Sequence, residues 1–96
     1  MGDEHVMEMT AVVMNSHGIH LRPSNVIVSR VAEYSGEVRV TSPNGESNLR
    51  SIMELLTLYL EQGTEITISV SGSDETAVCQ DLVDLFQTEF DFPRED

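Results

Sequence analysis

The stretch EITISVS, residues 65–71, alternates branched apolar side chains with polar ones and is the clearest strand pattern in the sequence. Because successive side chains of a strand point to opposite faces, Ile66, Ile68 and Val70 are expected on one face. A strand of this kind buries its apolar face against other elements and leaves its mixed face partly in water. The pattern therefore predicts a sheet that is covered on one side.

The segments on either side of this strand predict helices. Upstream, SIME at residues 51–54 fits a capping box, in which the serine hydroxyl and the glutamate three residues later bind free amides at a helix start. A strongly apolar helix is expected from Ser51 to a stop at Gly63. Downstream, Ser73 or Asp74 is expected to cap a third helix, which has Val78, Leu82, Leu85 and Phe86 on one face.

The N-terminal half predicts the remaining elements. Residues 6–14 alternate with a period of two and predict a strand. A helix is expected from Leu21 to about Gly36, with Pro23 in its first turn, where a missing N–H costs nothing. Residues 37–49 predict a hairpin around the turn SPNG at residues 42–45.

The expected element order is thus βαββαβα, in one domain that spans residues 1–96. This order predicts an α+β fold with a four-stranded antiparallel sheet and three helices on one face. No apolar run approaches the roughly twenty residues of a membrane-spanning helix, so no membrane is expected as a partner.

The charge of the chain is strongly negative. It contains 17 Asp and Glu residues against five Arg and Lys, for a formal net charge of −12. This balance argues against nucleic acid or anionic lipid as a partner. Between Met9 and Glu33 there is no acid, so an anion could bind there without repulsion. Buried strand and helix would also lack acids, and the charge pattern alone leaves both interpretations open.

The cysteine and histidine contents favour a reducing compartment and no metal. The single Cys79 cannot form an internal disulfide and no secretory leader is recognisable, so a cytoplasmic location is expected. Cys79 lies in a helical apolar pattern and is expected to be unreactive core. His17 and His20 are spaced like a metal pair, but no cysteine or nearby carboxylate completes a site, so no cofactor is expected.

The candidate site is NSHGIHLRPS, residues 15–24, between the first strand and the first helix. A helix start offers unpaired amides and the positive end of the helix dipole, both of which favour an anion. A neutral imidazole such as that of His20 can act as a nucleophile near neutral pH. Arg22 offers planar donors that match phosphoryl oxygens. From these residues alone, a structural role for His20 stays an open alternative.

Two separated segments resemble one family. GIHLRPS, residues 18–24, closely resembles the active-site signature of HPr, the histidine-containing phosphocarrier of the sugar phosphotransferase system. NLRSIM, residues 48–53, is similar to the regulatory-serine segment of that family, at the usual spacing and without a gap. The likeness continues through residues 63–69 and 72–75, so it covers nearly the whole chain.

This resemblance implies the open-faced β-sandwich of HPr and a role as a phosphoryl carrier, not a stand-alone catalyst. His20 would receive a phosphoryl group on Nδ1 from enzyme I, whose own phosphate comes from phosphoenolpyruvate, and would pass it to a sugar-specific enzyme IIA. Arg22 would steady the group. Ser51 would correspond to the serine that HPr kinase/phosphorylase modifies.

The apolar segment after Ser51 suggests a docking surface beside His20. Its candidate contacts are Arg50, Ile52, Met53 and Leu56. Nothing in the sequence requires more than one copy of the chain, so a monomer is expected.

The chain also departs from the family pattern. Leu21 stands where the family has a small residue, Glu54 adds an acid, and the lysines around the family's site are missing. These departures keep open an HPr-like regulatory binding module controlled by phosphorylation of Ser51. A small-ligand or metal domain is a third, weaker alternative.

Overall fold

The computed structural model describes residues 6–89, and the order of elements in this part of the chain is the predicted one. The elements are β1 (Val6–Val12), α1 (Leu21–Ala32), β2 (Glu37–Ser42), β3 (Gly45–Ser47), α2 (Ile52–Leu56), β4 (Glu65–Ser71) and α3 (Glu75–Phe86). Within the described range, no helix has the length and apolar character needed to cross a membrane.

The four strands form one antiparallel sheet in the order β1-β4-β2-β3. The strand β4 lies inside the sheet, where Ile68 is paired with Met9 on one side and with Val40 on the other. The fold class is therefore confirmed as α+β with a four-stranded antiparallel sheet.

The helices cover one face of the sheet. Ile66, Ile68 and Val70 of β4 are buried there, in a core that also contains Ile27 of α1 and Phe86 of α3. Burial of such side chains is worth about 1.5–3 kcal/mol each, which makes this face the main source of stability.

The opposite face of the sheet is exposed and largely polar, and it also carries Val6 and Val12 of β1. Glu8 and Arg39 lie on either side of Ser69 in one cross-strand row, and the Ser69 hydroxyl donates to the Glu8 carboxylate at 3.1 Å. The alternation of β4 thus separates a covered face from a face in water, as its sequence predicts.

The second helix is much shorter than expected. It ends at Leu56, whereas the apolar pattern predicted a helix to Gly63. Leu58 and Leu60 are both buried, and Tyr59 between them is 74% exposed with a φ of +49°. A helix places residues two apart on different sides, so burial of both leucines requires the chain to leave the helix. The apolar character of this segment reflects core packing in a turn.

The predicted capping box at Ser51 is only half formed. The Glu54 N–H donates to the Ser51 hydroxyl at 3.2 Å, as expected. The Glu54 carboxylate, however, accepts from the Ser47 hydroxyl at 3.0 Å and the Asn48 N–H at 3.3 Å. The carboxylate therefore binds the end of the hairpin and not the helix start.

Other boundaries differ in smaller ways. The strand β3 ends at Ser47, before the expected Leu49, which has a left-handed φ of +60° and so cannot continue the pairing. Asp74 occupies the N-cap position of α3, but it too has a φ of +60° and its side chain makes no capping bond. The expected side-chain cap of this helix by Asp74 is therefore wrong.

Cys79 lies in the core, as predicted. Its side chain is fully buried and its thiol approaches the carbonyl oxygen of Ile68 at 3.5 Å. Burial raises the pKa of this thiol, and so the reactive thiolate is disfavoured.

Candidate functional site

The loop between β1 and α1 begins as an extension of the sheet. The Val13 N–H donates to the Thr64 carbonyl oxygen at 2.9 Å, and the Gly63 N–H donates to the Val13 carbonyl oxygen at 2.8 Å. The buried Asn15 then closes a tight turn, because its amide Nδ2 donates to the Gly18 carbonyl oxygen at 2.8 Å. The Gly18 N–H in turn donates to the backbone carbonyl oxygen of Asn15 at 2.9 Å. This arrangement restrains the backbone just before His20.

Gly18 is required by the close approach of two backbone segments. It has a φ of +73°, and a Cβ at this position would collide with the carbonyl oxygen of Leu60. The next residue, Ile19, donates its N–H to the same oxygen at 2.8 Å. The loop is therefore held against the turn that follows α2, which a larger residue would push away.

His20 occupies the N-cap position of α1. Its backbone is extended (φ −94°, ψ −157°), and its carbonyl oxygen accepts from the Ser24 N–H at 3.0 Å. The imidazole is half-buried and makes no capping bond to the helix. There is no acid in the first turn of α1, so the positive end of the helix dipole is not neutralised by the helix itself.

Arg22 is the second residue of α1, and its side chain is exposed. The structure thus places the two predicted site residues within the same helix start. A guanidinium at this position adds positive charge on the side of the molecule where the helix dipole already favours an anion.

His17 lies beside His20 on the preceding turn. The two rings are 6.2 Å apart between centroids and meet nearly edge to face, at 84°. Within residues 6–89 there is no group of three or more His, Cys, Asp or Glu side chains that could hold a metal ion.

A groove of about 350 Å³ opens beside the two histidines. Its lining includes His17 and His20 from the loop before α1, and Leu56, Tyr59 and Glu61 from α2 and the turn that follows it. The structure therefore brings together the candidate nucleophile and one of the predicted docking residues, Leu56.

The other predicted docking residues of α2 differ in exposure. Met53 lies one helical turn before Leu56 and is 70% exposed, while Ile52 is half-buried. Met53 thus offers apolar surface on the same side of α2 as the groove, because residues three apart share a helix face.

Arg50 binds the C-terminal end of α1, opposite to the end where His20 lies. Its guanidinium donates to the carbonyl oxygens of Val31 at 3.0 Å, Tyr34 at 3.1 Å and Gly36 at 2.9 Å. These oxygens belong to the last turn of α1 and the residues that follow it, where a cation also interacts favourably with the helix dipole. The structure thus gives Arg50 a role in packing, and its role in docking stays a prediction.

Ser51 is the exposed N-cap residue of α2. Its hydroxyl accepts the Glu54 N–H, and the side chain is accessible from solvent. The structural role that the sequence predicted for this hydroxyl is confirmed, and its regulatory role stays a prediction.

Three charged or aromatic residues at the site were not identified from sequence, and one of them is Glu61, which lines the groove. Tyr59 lines the groove from a left-handed backbone position, which sequence periodicity does not reveal. Glu89, beyond the end of α3, accepts a hydrogen bond from the Ser16 N–H at 2.6 Å. The loop lacks acids in sequence, yet folding brings a carboxylate to it from 73 residues away.

Comparison with known proteins identifies the family. The sequence model of a protein family, described as "PTS HPr component phosphorylation site", matches residues 7–88 of this chain. The chain is 38% identical over 76 residues to the phosphocarrier protein HPr of Haemophilus influenzae, covering 79% of this chain and 89% of that protein. It is 36% identical over 69 residues to the same protein of Mycoplasma pneumoniae, covering 71% and 78%.

Solved structures agree with these relatives. HPr-C-His from Thermoanaerobacter tengcongensis superposes with a TM-score of 0.77 at 32% identity, over 84% of this chain and 91% of that one. A phosphocarrier protein HPr from Bacillus anthracis reaches a TM-score of 0.78 at 22% identity, over 83% and 95%, which supports the fold alone. The open-faced β-sandwich expected from the sequence is confirmed.

Proposed function

The chain belongs to the HPr family of phosphocarrier proteins of the phosphotransferase system, and on that basis we propose that His20 accepts a phosphoryl group from enzyme I and donates it to sugar-specific enzyme IIA proteins. The observation that carries this proposal is the position of His20 at the start of α1, with a partly accessible imidazole beside an open groove. A carrier needs such a side chain because each partner must reach it in turn.

In the first transfer, the lone pair of a neutral ring nitrogen of His20 attacks the phosphorus carried by a histidine of enzyme I. The new N–P bond forms while the old one breaks, and the electron pair of the old bond returns to the donor ring. The two rings must approach the phosphorus nearly in line. The second transfer to enzyme IIA is the same exchange with His20 as the donor.

The surroundings of His20 support brief retention of the group. The positive end of the α1 dipole and the exposed Arg22 guanidinium favour the dianion, and the first turn of α1 has no acid to oppose it. Because the holding groups lie at the surface, they stabilise the phosphoryl group without enclosing it. A carrier of this kind can therefore release its cargo to the next protein.

Partner docking would use the surface beside the groove. Met53 and Leu56 provide the apolar contacts beside the groove, with Ile52 on the same helix. Arg50, whose guanidinium is bound at the C-terminal end of α1, would contact the partner outside the groove. The protein would act as a cytoplasmic monomer, without a metal ion or other cofactor.

The proposal is tested by incubating the protein with enzyme I and phosphoenolpyruvate. We expect an acid-labile phosphate on the wild-type chain, none on His20→Ala, and labelling of His17→Ala, which assigns the phosphate to His20. An unlabelled wild-type chain with several active enzyme I proteins, or labelling of His20→Ala, would overturn it.

A second candidate function is regulation through Ser51. This hydroxyl is exposed at the N-terminus of α2, next to the proposed docking residues, and a phosphate there would be tolerated by the helix dipole. Its charge would change the docking surface without refolding the domain. Purified HPr kinase should then label the wild-type chain but not Ser51→Ala, and the labelled protein should accept phosphate on His20 more slowly. Equal rates for the two forms would remove this function.

A further inference from the structure

The segment that leads to His20 is hydrogen-bonded to the C-terminal end of α3 and the residues just after it through alternate backbone amides. Residues 12, 14 and 16 each donate an N–H to this end of the chain. The bonds are Val12 N–H to Gln87 Oε1 at 2.9 Å, Met14 N–H to the Phe86 carbonyl oxygen at 3.3 Å, and Ser16 N–H to Glu89 Oε1 at 2.6 Å.

The opposite edge of the same segment is also held. Val13 pairs with residues 63 and 64, and the Gln62 side chain donates to the Met14 carbonyl oxygen at 3.2 Å. The backbone from residue 12 to residue 16 is thus fixed between two other parts of the chain. The Ser16 bond is the last of these contacts before the turn that contains His17 and Gly18.

This last bond differs from the others in its chemistry. Its acceptor is a carboxylate, and hydrogen bonds to ionised acceptors are shorter and roughly twice as strong as bonds between neutral groups. Glu89 is half-buried and reaches a loop that contributes no acid of its own. Of the three contacts to the end of α3, the charge-assisted one therefore lies nearest to His20 in the chain.

We propose that Glu89 is a positioning residue for phosphoryl transfer: by holding the Ser16 amide, it fixes the loop in the arrangement that lets His20 meet the partner's phosphohistidine in line. This inference rests on the proposed function of His20. Transfer between two rings is sensitive to their relative placement, and a displacement of about 1 Å can cost up to about 100-fold in rate.

The chain offers a matched control for stability. Gln87→Ala removes the hydrogen bond from the Val12 N–H, which is one of the same three contacts. Val12 lies in β1, four residues before Ser16 and so farther from the turn that precedes His20. Glu89→Gln keeps a carbonyl oxygen as the acceptor and removes the charge, while Glu89→Ala removes the acceptor itself. All three variants are made in the full chain.

Enzyme I-dependent phosphorylation is then measured with each variant as the acceptor. We expect Glu89→Ala to lower kcat about tenfold with little change in KM, because placement and not docking is lost. Glu89→Gln should restore most of kcat. Gln87→Ala should keep the wild-type kcat even if its thermal midpoint falls as far as that of Glu89→Ala. Amide hydrogen exchange should show faster exchange at Ser16 in Glu89→Ala only.

Three outcomes would overturn the inference. The first is a wild-type kcat in Glu89→Ala, and the second is an equal loss of kcat in Glu89→Ala and Gln87→Ala. In both cases the wild-type chain is phosphorylated, so the proposed function stands while the inference fails. The third is a wild-type chain that accepts no phosphate, which removes the proposed function and this inference with it.

Discussion

The carboxylate of Glu54 on α2 accepts a hydrogen bond from the hydroxyl of Ser47, at the end of β3, at 3.0 Å. The same hydroxyl accepts the Leu49 N–H at 3.0 Å, and Ser47 is 4% exposed. One small side chain thus joins the hairpin to the helix and allows the left-handed turn at Leu49.

Replacement of Ser47 by Ala should therefore cost stability. The buried Leu49 N–H would lose its acceptor, and an unsatisfied buried polar group costs about 1–3 kcal/mol. Urea unfolding of Ser47→Ala measures this loss. In the control Ser69→Ala, the hydroxyl that bonds Glu8 on the exposed face is removed, and a change within about 0.5 kcal/mol is expected. Equal losses in the two variants would contradict the assignment.

Gly18→Ala should displace the loop that contains His20. The added methyl group would meet the carbonyl oxygen of Leu60, and the left-handed φ adds about 1–2 kcal/mol of its own. Gly63→Ala separates the two effects, because Gly63 has a φ of +91° but no heavy atom within 4 Å of the added Cβ. Thermal unfolding should show the larger loss for Gly18→Ala, together with slower phosphorylation of His20. A larger loss at Gly63 would show that the contact with Leu60 is unimportant.

Tyr59→Gly should make the domain more stable. A tyrosine in the left-handed region is strained by about 1–2 kcal/mol, and this exposed side chain contributes little burial in return. Its loss should weaken docking beside His20, which would be seen as a higher KM for phosphorylation by enzyme I. Leu49→Gly is the control, since Leu49 has a similar φ but is fully buried, and its removal should cost about 2–5 kcal/mol. A lower stability of Tyr59→Gly would contradict the statement that the backbone of Tyr59 is strained.

Arg50→Ala should loosen the end of α1. The guanidinium satisfies three carbonyl oxygens, and charge-assisted hydrogen bonds contribute about 1.5–3 kcal/mol where they are well formed. Arg39→Ala is the comparison, because Arg39 forms an exposed ion pair with Glu46 and such pairs contribute about 0–1 kcal/mol. Chemical unfolding of both variants decides the point. A loss for Arg50 no greater than that for Arg39 would mean that the three bonds are weak in solution.

Stability should fall at alkaline pH because of Cys79. Burial raises the pKa of this thiol in the folded state, so the unfolded chain loses its proton first. The contribution to stability is full below the unfolded pKa of about 8.5 and is lost as the pH rises through the higher folded value. Urea unfolding between about pH 7.5 and 9.5 measures how the free energy of unfolding changes with pH. This change should be smaller in Cys79→Ala than in the wild-type chain. Identical slopes would exclude the thiol as the cause.

Much of this protein was decided by local sequence. The alternation of residues 65–71 predicted β4, and Pro23 after the loop that contains Gly18 predicted the start of α1, because hydrophobic period and turn chemistry act over a few residues. The position of His20 at a helix start followed from the same signals. The family could be recognised from two short segments in register.

Other features depended on contacts that no local pattern encodes. The end of α2 at Leu56 was set by the burial of Leu58 and Leu60 in one core, which overrode the apolar pattern that predicted a longer helix. Residues far apart in sequence also became partners: Arg50 with the end of α1, and Glu89 with Ser16. Sequence alone determined the type and order of the elements and the position of His20, the candidate phosphoryl acceptor, at a helix start. Only the tertiary structure decided which charged side chains hold the loop that carries it, because hydrogen-bond partners are selected by proximity in space.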